Sequence, residues 1–171
     1  MNAIIIAAGL GKRISEDVKN LPKSVLTVNG KPIIAYQIQA LKQVGIEKII
    51  VITGAHSEKF EIENVRYVKD HCYNEHDILG SLMEANDFLK NDTLVLYSDI
   101  IFESKILRQI LDSKGDISIA IDMTWEKMYE GRTEHLKSEA ENVQLNKAKK
   151  IIKIKKGNWL LITIEFLLNI S

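Results

Sequence analysis

The chain has 171 residues, of which 46% are hydrophobic and 27% are charged, a composition that favours one soluble globular domain. Its 23 Lys and Arg residues balance 23 Asp and Glu residues, so no bulk charge attracts a polyanion, and nucleic acid is not an expected partner. The single cysteine, Cys72, excludes an internal disulfide, and the N-terminus shows no secretory signal, so we expect a cytoplasmic protein.

Apolar runs predict six strands in the first part of the chain: Ile4–Ala7, Val25–Val28, Lys48–Thr53, Val65–Val68, Thr93–Tyr97 and Asp116–Asp122. Helical spacing of apolar residues predicts three helices: one from Pro32 to Gly45, one with Leu79, Leu82, Met83 and Asn86 on one side, and one over residues 103–113. Farther on, "AENVQL" and "KIIKIK" predict two strands separated by a turn. The lysines around the second of these strands are expected to lie on a solvated face.

The alternation of strands and helices predicts an α/β fold with a mostly parallel sheet that is covered by helices on both sides. In such a sheet the ligand binds beyond the carboxyl ends of the strands. This rule selects the loop after Ala7, the region after Thr53, and Asp99.

The first strand leads into a glycine-containing loop, "AAGLGKR". Gly9 and Gly11 allow backbone N–H groups to approach an anion closely, while Lys12 and Arg13 add positive charge. A Walker loop would need Ser or Thr where Arg13 stands, and a dinucleotide fingerprint would need a third glycine where Ile14 stands. On its own, the loop favours phosphate only modestly over a glycine turn that ends a strand.

Two further residues have the right chemistry for a phosphate site. Lys23 follows a proline that stiffens the backbone, and Asp99 ends an apolar strand, where a carboxylate is a natural Mg²⁺ ligand. Each also has a plainer interpretation, as a surface lysine and as a turn or helix-cap aspartate. His71, Cys72 and His76 are close in sequence but match no zinc pattern, so we interpret them as loop residues.

Taken together, "AAGLGKR" followed by "PKSVLTVNGKPII" resembles the opening signature of the nucleotidyltransferases that make NDP-sugars and CDP-alcohols. "SDII" resembles the metal-binding aspartate of that family, and "NEHDILGSLMEA" is similar to the segment that closes over the base. "DMTWEKMYEGRTEHLKSEAENV" is similar to a segment of the branch that includes phosphocholine and aminoethylphosphonate cytidylyltransferases. The fold implied is that of the nucleotide-diphospho-sugar transferases, a Rossmann-like three-layer αβα sandwich.

The resemblance implies a Mg²⁺-dependent reaction in which NMP, from CTP as the favoured NTP, is transferred to a small phosphorylated alcohol, phosphonate or sugar phosphate, with release of pyrophosphate. Arg13 would hold the β- and γ-phosphates, Lys23 the α-phosphate and the attacking group, and Asp99 the Mg²⁺ ion. The remaining nucleotide-binding residues implied are Ala7, Ala8 and Gly9, whose backbone passes the base, Ser81 nearby, and Gly11 and Lys12 in the loop.

The resemblance covers residues 1–156, which we expect to form an incomplete nucleotidyltransferase domain, followed by an atypical tail over 157–171. That tail is apolar but too short to cross a bilayer, which takes about 20 apolar residues, so no membrane is expected. Two alternatives stay open: a nucleotide-binding remnant without catalysis, and a sugar-1-phosphate uridylyl- or thymidylyltransferase. The acceptor, the second metal ligand and a homodimer are left open as well.

Overall fold

The computed structural model describes residues 1–9, 21–131, 140–148, 150–156 and 164–168. The strands within them are β1 Asn2–Ala7, β2 Thr27–Val28, β3 Lys31–Pro32, β4 Ile49–Thr53, β5 Arg66–Lys69, β6 Thr93–Tyr97, β7 Ile117–Ile121, β8 Glu141–Leu145, β9 Ile151–Lys156 and β10 Ile164–Leu168. The helices are α1 Ile33–Gln43, α2 Ile78–Met83 and α3 Ser104–Leu111.

The main sheet has the strand order β5-β4-β1-β6-β10-β7. Strands β5, β4, β1 and β6 are parallel to one another, and β10 runs antiparallel to β6. The expectation of a mostly parallel sheet is therefore confirmed. Strands β2 and β3 form a small separate hairpin, and β8 and β9 form the antiparallel pair that the sequence predicts.

Both faces of the central strands are buried. All six residues of β1 are buried, and because alternate side chains of a strand point to opposite faces, each face needs a cover. Leu82 of α2 packs in one cluster with Ile4 and Ile6. Helices α1 and α3, which contact each other, bury Leu41 and Leu107 outside this cluster. The expected three-layer αβα sandwich is thereby confirmed.

Helix α1 begins and ends close to where the sequence predicts. Pro32 is its N-cap rather than its first residue. At the other end Gly45 adopts a φ of +82°, which the absence of a side chain permits. The Gly45 N–H donates to the Lys42 carbonyl at 3.0 Å and the Ile46 N–H to the Leu41 carbonyl at 3.0 Å, which together make a Schellman cap.

The strand expected from "VLTV" is shorter than predicted. Lys23–Val25 forms a 3-10 turn instead, closed by a 3.0 Å hydrogen bond from the Val25 N–H to the Pro22 carbonyl. Only Thr27 and Val28 form β2, which pairs with β3 across Asn29 and Gly30. These two residues have φ values of 51° and 75°, as a two-residue hairpin turn requires, so the predicted turn is confirmed.

The apolar face predicted for the second helix is wrong in part. Leu82 is 6% exposed, but Leu79 is 62% and Met83 is 45% exposed. Helix α2 has six residues and so fewer than two turns, which leaves room for little more than one apolar residue against the sheet.

Edge strand β5 is anchored to the loop before it. The Tyr67 hydroxyl donates to the Ile62 carbonyl at 3.1 Å and accepts from the Ile62 N–H at 3.0 Å. Burial raises the pKa of Tyr67 above its usual value of 10.0, and the hydrogen bond to the Ile62 backbone acts in the opposite direction.

The chain divides into two compact units, residues 1–118 with 166–171, and residues 119–165. The parallel strands lie in the first. The second contains the β8–β9 hairpin, where the side chain of Lys153 is exposed. None of the helices in the described ranges is both long and apolar enough to cross a bilayer.

Candidate functional site

The carboxyl ends of four parallel strands meet at one edge of the sheet. The register pairs Ala7 with Thr53, Ile6 with Tyr97, and Thr53 with Lys69. The residues that follow these strands therefore line up along that edge: Asp70 after β5, Gly54 after β4, Ala8 after β1, and Ser98 and Asp99 after β6. Because the chain places β4 on one side of β1 and β6 on the other, the strand order reverses between β1 and β6, and open α/β sheets bind ligands at such a point.

Ala8, the first residue after β1, lies directly against Gly54. A Cβ atom on Gly54 would lie 2.4 Å from the Ala8 carbonyl oxygen and 2.9 Å from the Tyr73 Cβ, so a glycine is required there. Ala8 itself is 3% exposed, whereas a Cβ on Gly9 would meet no described atom within 4 Å. The backbone of Ala8 is thus held from one side, and no described atom fills the space beside Gly9.

Lys23 and Asp99, which the sequence placed in one site, form an ion pair. The Lys23 Nζ lies 3.6 Å from the Asp99 Oδ2, and the two side chains are 39% and 48% exposed. An ion pair this exposed adds little to folding stability, typically about 0–1 kcal/mol. The pair can instead bind other groups, because the Lys23 ammonium has three N–H donors and the Asp99 carboxylate has lone pairs that solvent or a cation can reach.

The turn that carries Asp99 is tied to helix α1 by Gln37, which is 1% exposed. The Gln37 Nε2 donates to the Tyr97 carbonyl at 2.7 Å and to the Ile100 carbonyl at 2.8 Å. The two accepting carbonyls flank Ser98 and Asp99 on either side. In the sequence, the one indication of this contact is a polar residue on the apolar face of a helix.

A second polar network is built on Asp70, whose side chain is fully buried. Its Oδ1 accepts from the Cys72 backbone N–H at 2.9 Å and lies 3.0 Å from the His76 Nδ1, while its Oδ2 accepts from the Ser81 Oγ at 2.7 Å. The loop between β5 and α2 is therefore folded around one carboxylate. Ser81, a predicted nucleotide-binding residue that is 5% exposed, is fixed in place by it.

Asp70, His76 and Glu84 also form a group that could hold a metal ion, since one ligand atom of each lies within 4.8 Å of the others. The two oxygens of Asp70, however, already accept hydrogen bonds from the chain. We therefore interpret the group as the hydrogen-bonded centre of the loop. His76 lies in a loop, as the sequence predicts, but its bond to Asp70 was missed, although Asp70 comes directly after β5 much as Asp99 comes shortly after β6.

Replacing Asp70 with asparagine is expected to lower the free energy of unfolding by about 1–3 kcal/mol, because the amide group cannot accept from all three donors and leaves buried groups unpaired. Urea denaturation followed by circular dichroism measures this change. The matched control is Asp87→Asn, whose carboxylate is 81% exposed in a surface pair with Lys90 and should change the stability by less than about 0.5 kcal/mol. Equal stability losses in the two variants would contradict the structural role of Asp70.

The structure describes six of the predicted site residues: Ala7, Ala8, Gly9, Lys23, Ser81 and Asp99. It brings Lys23 and Asp99 together and places Ala8 against Gly54, and it attaches Ser81 to the loop after β5. The other three, Gly11, Lys12 and Arg13, fall within residues 10–20 and lie outside the described residues.

Comparison with known families identifies the chain. Residues 3–152 match the model of the MobA-like NTP transferase domain. The chain belongs to this family. The family membership and the fold expected from the resemblance are thus both confirmed.

Several relatives of this MobA-like NTP transferase chain are cytidylyltransferases. It is 29% identical over 171 residues to the CTP:phosphoglutamine cytidylyltransferase of Campylobacter jejuni, covering 92% of this chain and 67% of the relative. It is 34% identical over 120 residues to the 2-aminoethylphosphonate cytidylyltransferase of Lancefieldella rimae, covering 67% of this chain and 49% of the relative.

Among solved structures, the CTP:phosphocholine cytidylyltransferase of Streptococcus pneumoniae matches with a TM-score of 0.68 at 25% sequence identity, covering 98% of this chain and 67% of that one. The MobA-like chain therefore spans between about half and about two thirds of the length of these three proteins.

Proposed function

We propose that this chain transfers CMP from CTP to a small phosphorylated alcohol or phosphonate and releases pyrophosphate. The observation that carries the proposal is the Lys23–Asp99 pair, 3.6 Å apart, in which Asp99 stands at the carboxyl edge of the sheet in a chain of the NTP transferase family. The relatives named for phosphoglutamine, phosphocholine and 2-aminoethylphosphonate all use CTP or a cytidylyl group, which supports the choice of nucleotide. Their acceptors share a tetrahedral phosphorus group, which supports the class of acceptor.

In the proposed reaction an acceptor phosphate or phosphonate oxygen bonds to the α-phosphorus of CTP. The bond from that phosphorus to the bridging oxygen breaks, and pyrophosphate leaves with the electron pair. The protein contributes mainly by positioning and by neutralising charge. Lys23 directs one of its donors toward Asp99 and keeps others for the α-phosphate and the incoming oxygen. Arg13 is proposed for the β- and γ-phosphates.

Asp99 suits a Mg²⁺ ion. Its carboxylate is 48% exposed at a strand end, and its oxygens can reach a hard cation whose remaining ligands are phosphate oxygens and water. Mg²⁺ bound there would neutralise phosphate charge and make pyrophosphate a better leaving group. Asp99 would hold the ion, and Lys23 would neutralise the negative charge of the Asp99 carboxylate when no nucleotide is bound.

The base is proposed to lie along the backbone of Ala7, Ala8 and Gly9, with Ser81 nearby. Two contacts support this placement. Gly54 fixes the Ala8 carbonyl, and Asp70 fixes the Ser81 hydroxyl, so both groups are held in place before a nucleotide arrives. A site that is already ordered loses less conformational entropy on binding.

The test is pyrophosphate release with Mg²⁺ across CTP, UTP, dTTP, ATP and GTP, each combined with phosphocholine, 2-aminoethylphosphonate or glucose 1-phosphate. We expect turnover with CTP and with one or both of the first two acceptors. A parallel thermal-shift series reports binding alone, since a ligand at 100 times its Kd stabilises the fold by about 2.7 kcal/mol.

The alternatives give different results in the same assay. Turnover with UTP or dTTP and glucose 1-phosphate would identify a sugar-1-phosphate nucleotidyltransferase. A thermal shift with NTP but no pyrophosphate from any pair would identify a nucleotide-binding remnant. The absence of both turnover and a thermal shift with every NTP would overturn the proposed function.

A further inference from the structure

We propose that Gln37 is a positioning residue that sets the distance between Lys23 and Asp99. The inference rests on the proposed function, because it concerns the same site for phosphate and metal. Gln37 touches neither nucleotide nor acceptor in this proposal. It acts through the backbone turn that presents Asp99.

Gln37 holds that turn at both ends. Tyr97 is the last residue of β6 and Ile100 is the first residue after Asp99, and their carbonyls accept from one side-chain nitrogen at 2.7 and 2.8 Å. The amide NH₂ group has two donors, and both are used. With its two ends bonded to one buried atom, the turn over Ser98 and Asp99 cannot rotate without breaking a buried hydrogen bond.

The start of helix α1 is linked to the backbone of Lys23 by two hydrogen bonds. The Leu26 N–H donates to the Lys23 carbonyl at 3.1 Å, which closes the 3-10 turn. The Ile33 N–H, at the first residue of α1, donates to the Leu26 carbonyl at 3.0 Å. The helix therefore joins the backbone of Lys23 at its start to the turn of Asp99 through Gln37, a little more than one turn farther along.

Packing alone does not account for a glutamine at this position. The Gln37 Oε1 is buried and meets no hydrogen-bond partner among the described residues, and a buried polar atom without a partner costs free energy. A methionine of similar length would fill the space without that cost. What glutamine supplies, and methionine lacks, is the pair of donors for the two carbonyls around Asp99.

The test compares Gln37→Met with Gln39→Met in the full chain. Gln39 lies on the exposed side of the same helix and bonds to Lys31, so the control makes the same chemical change away from the turn. The first readout is the dissociation constant of Mn²⁺, measured by electron paramagnetic resonance with a non-hydrolysable CTP analogue present. The second is the split between kcat and KM for CTP.

We expect Gln37→Met to weaken Mn²⁺ binding at least fivefold and to lower kcat at least tenfold, with the KM for CTP changed less than threefold. Gln39→Met should leave all three values unchanged. A Gln37→Met protein that only melts at a lower temperature, with Mn²⁺ affinity and kcat equal to the control, would overturn the inference. If Gln37→Met does not fold, Gln37→Asn keeps the two donors on a shorter side chain, and an unchanged Mn²⁺ affinity in that variant would overturn it equally.

Failure of the inference and failure of the proposed function are distinguishable. If the wild-type chain binds no Mn²⁺ with the CTP analogue, the proposed function fails and this inference with it. If the wild type binds Mn²⁺ and Gln37→Met binds it equally well, only the inference fails. Weakened Mn²⁺ binding in Gln37→Met supports the inference even if no acceptor has yet given turnover.

Discussion

Changing Lys23 to methionine is expected to lower kcat for pyrophosphate release by about 10²–10³-fold, the usual effect of removing one well-placed donor from a charged transition state. Methionine keeps much of the length of the side chain but removes the positive charge 3.6 Å from Asp99. Because Lys23 is 39% exposed, the free energy of unfolding should change by less than about 1 kcal/mol. Steady-state pyrophosphate release at saturating CTP and acceptor measures the effect.

The control is Lys90→Met, which breaks a surface pair with Asp87 where the lysine is 72% exposed, and which should keep full activity. Substituting Asp99 with asparagine in a second variant separates the two roles. Asp99→Asn should raise the Mg²⁺ concentration needed for half-maximal rate, whereas Lys23→Met should lower the rate at every Mg²⁺ concentration. If Lys23→Met retained more than a third of the wild-type kcat, the role proposed for Lys23 would be excluded.

The second large effect is expected from Gly54→Ala, which should weaken CTP binding at least tenfold. The added Cβ would lie 2.4 Å from the Ala8 carbonyl oxygen, and because that atom is backbone it cannot move away by a change of rotamer. The loop proposed to carry the base must shift instead. Overpacking of this kind also destabilises a fold, typically by about 1–3 kcal/mol. Isothermal titration with CTP and urea denaturation measure the two effects separately.

Gly45→Ala is the matched control for Gly54→Ala. Gly45 has a φ of +82° but open space around a Cβ, so alanine there causes backbone strain without a collision. We expect it to lose about 1 kcal/mol or more of stability while its affinity for CTP stays at the wild-type level. If the two variants lost stability equally and bound CTP equally well, the contact between Gly54 and Ala8 would have no part in nucleotide binding.

The residues predicted from sequence at this site share one property: each stands next to a recognisable boundary. Asp99 follows an apolar strand and Lys23 follows a proline, so position along the chain was enough to select them. The distance between their charged groups was not predictable, because it depends on how far α1 lies from β6. That spacing is fixed by the contact of Gln37 with residues far away in sequence.

The residues that sequence reasoning missed depend on the register of the sheet. In the sequence, Gly54 is only a glycine after a predicted strand. Its close contacts with Ala8 and Tyr73 exist because β4 pairs with β1 in the folded sheet. Asp70 likewise looks like any loop aspartate in the sequence, and only the position of α2 brings the Ser81 hydroxyl within hydrogen-bond distance of it. The exposed Leu79 shows the opposite error, since apolar spacing in a short helix overstates the width of the face that is buried.

The place of β10 in the sheet bears on how the chain folds during its synthesis. Strand β10 covers the edge of β6 through the pairs Phe166–Val95, Leu167–Leu94 and Leu168–Thr93, although β6 is made some seventy residues earlier. Until residues 166–168 leave the ribosome, β6 presents an open row of backbone N–H and C=O groups to other nascent chains. Elongation at about 5–20 residues per second keeps that edge open for several seconds. Pairing of β6 with the edge of a neighbouring chain is therefore most expected within this interval.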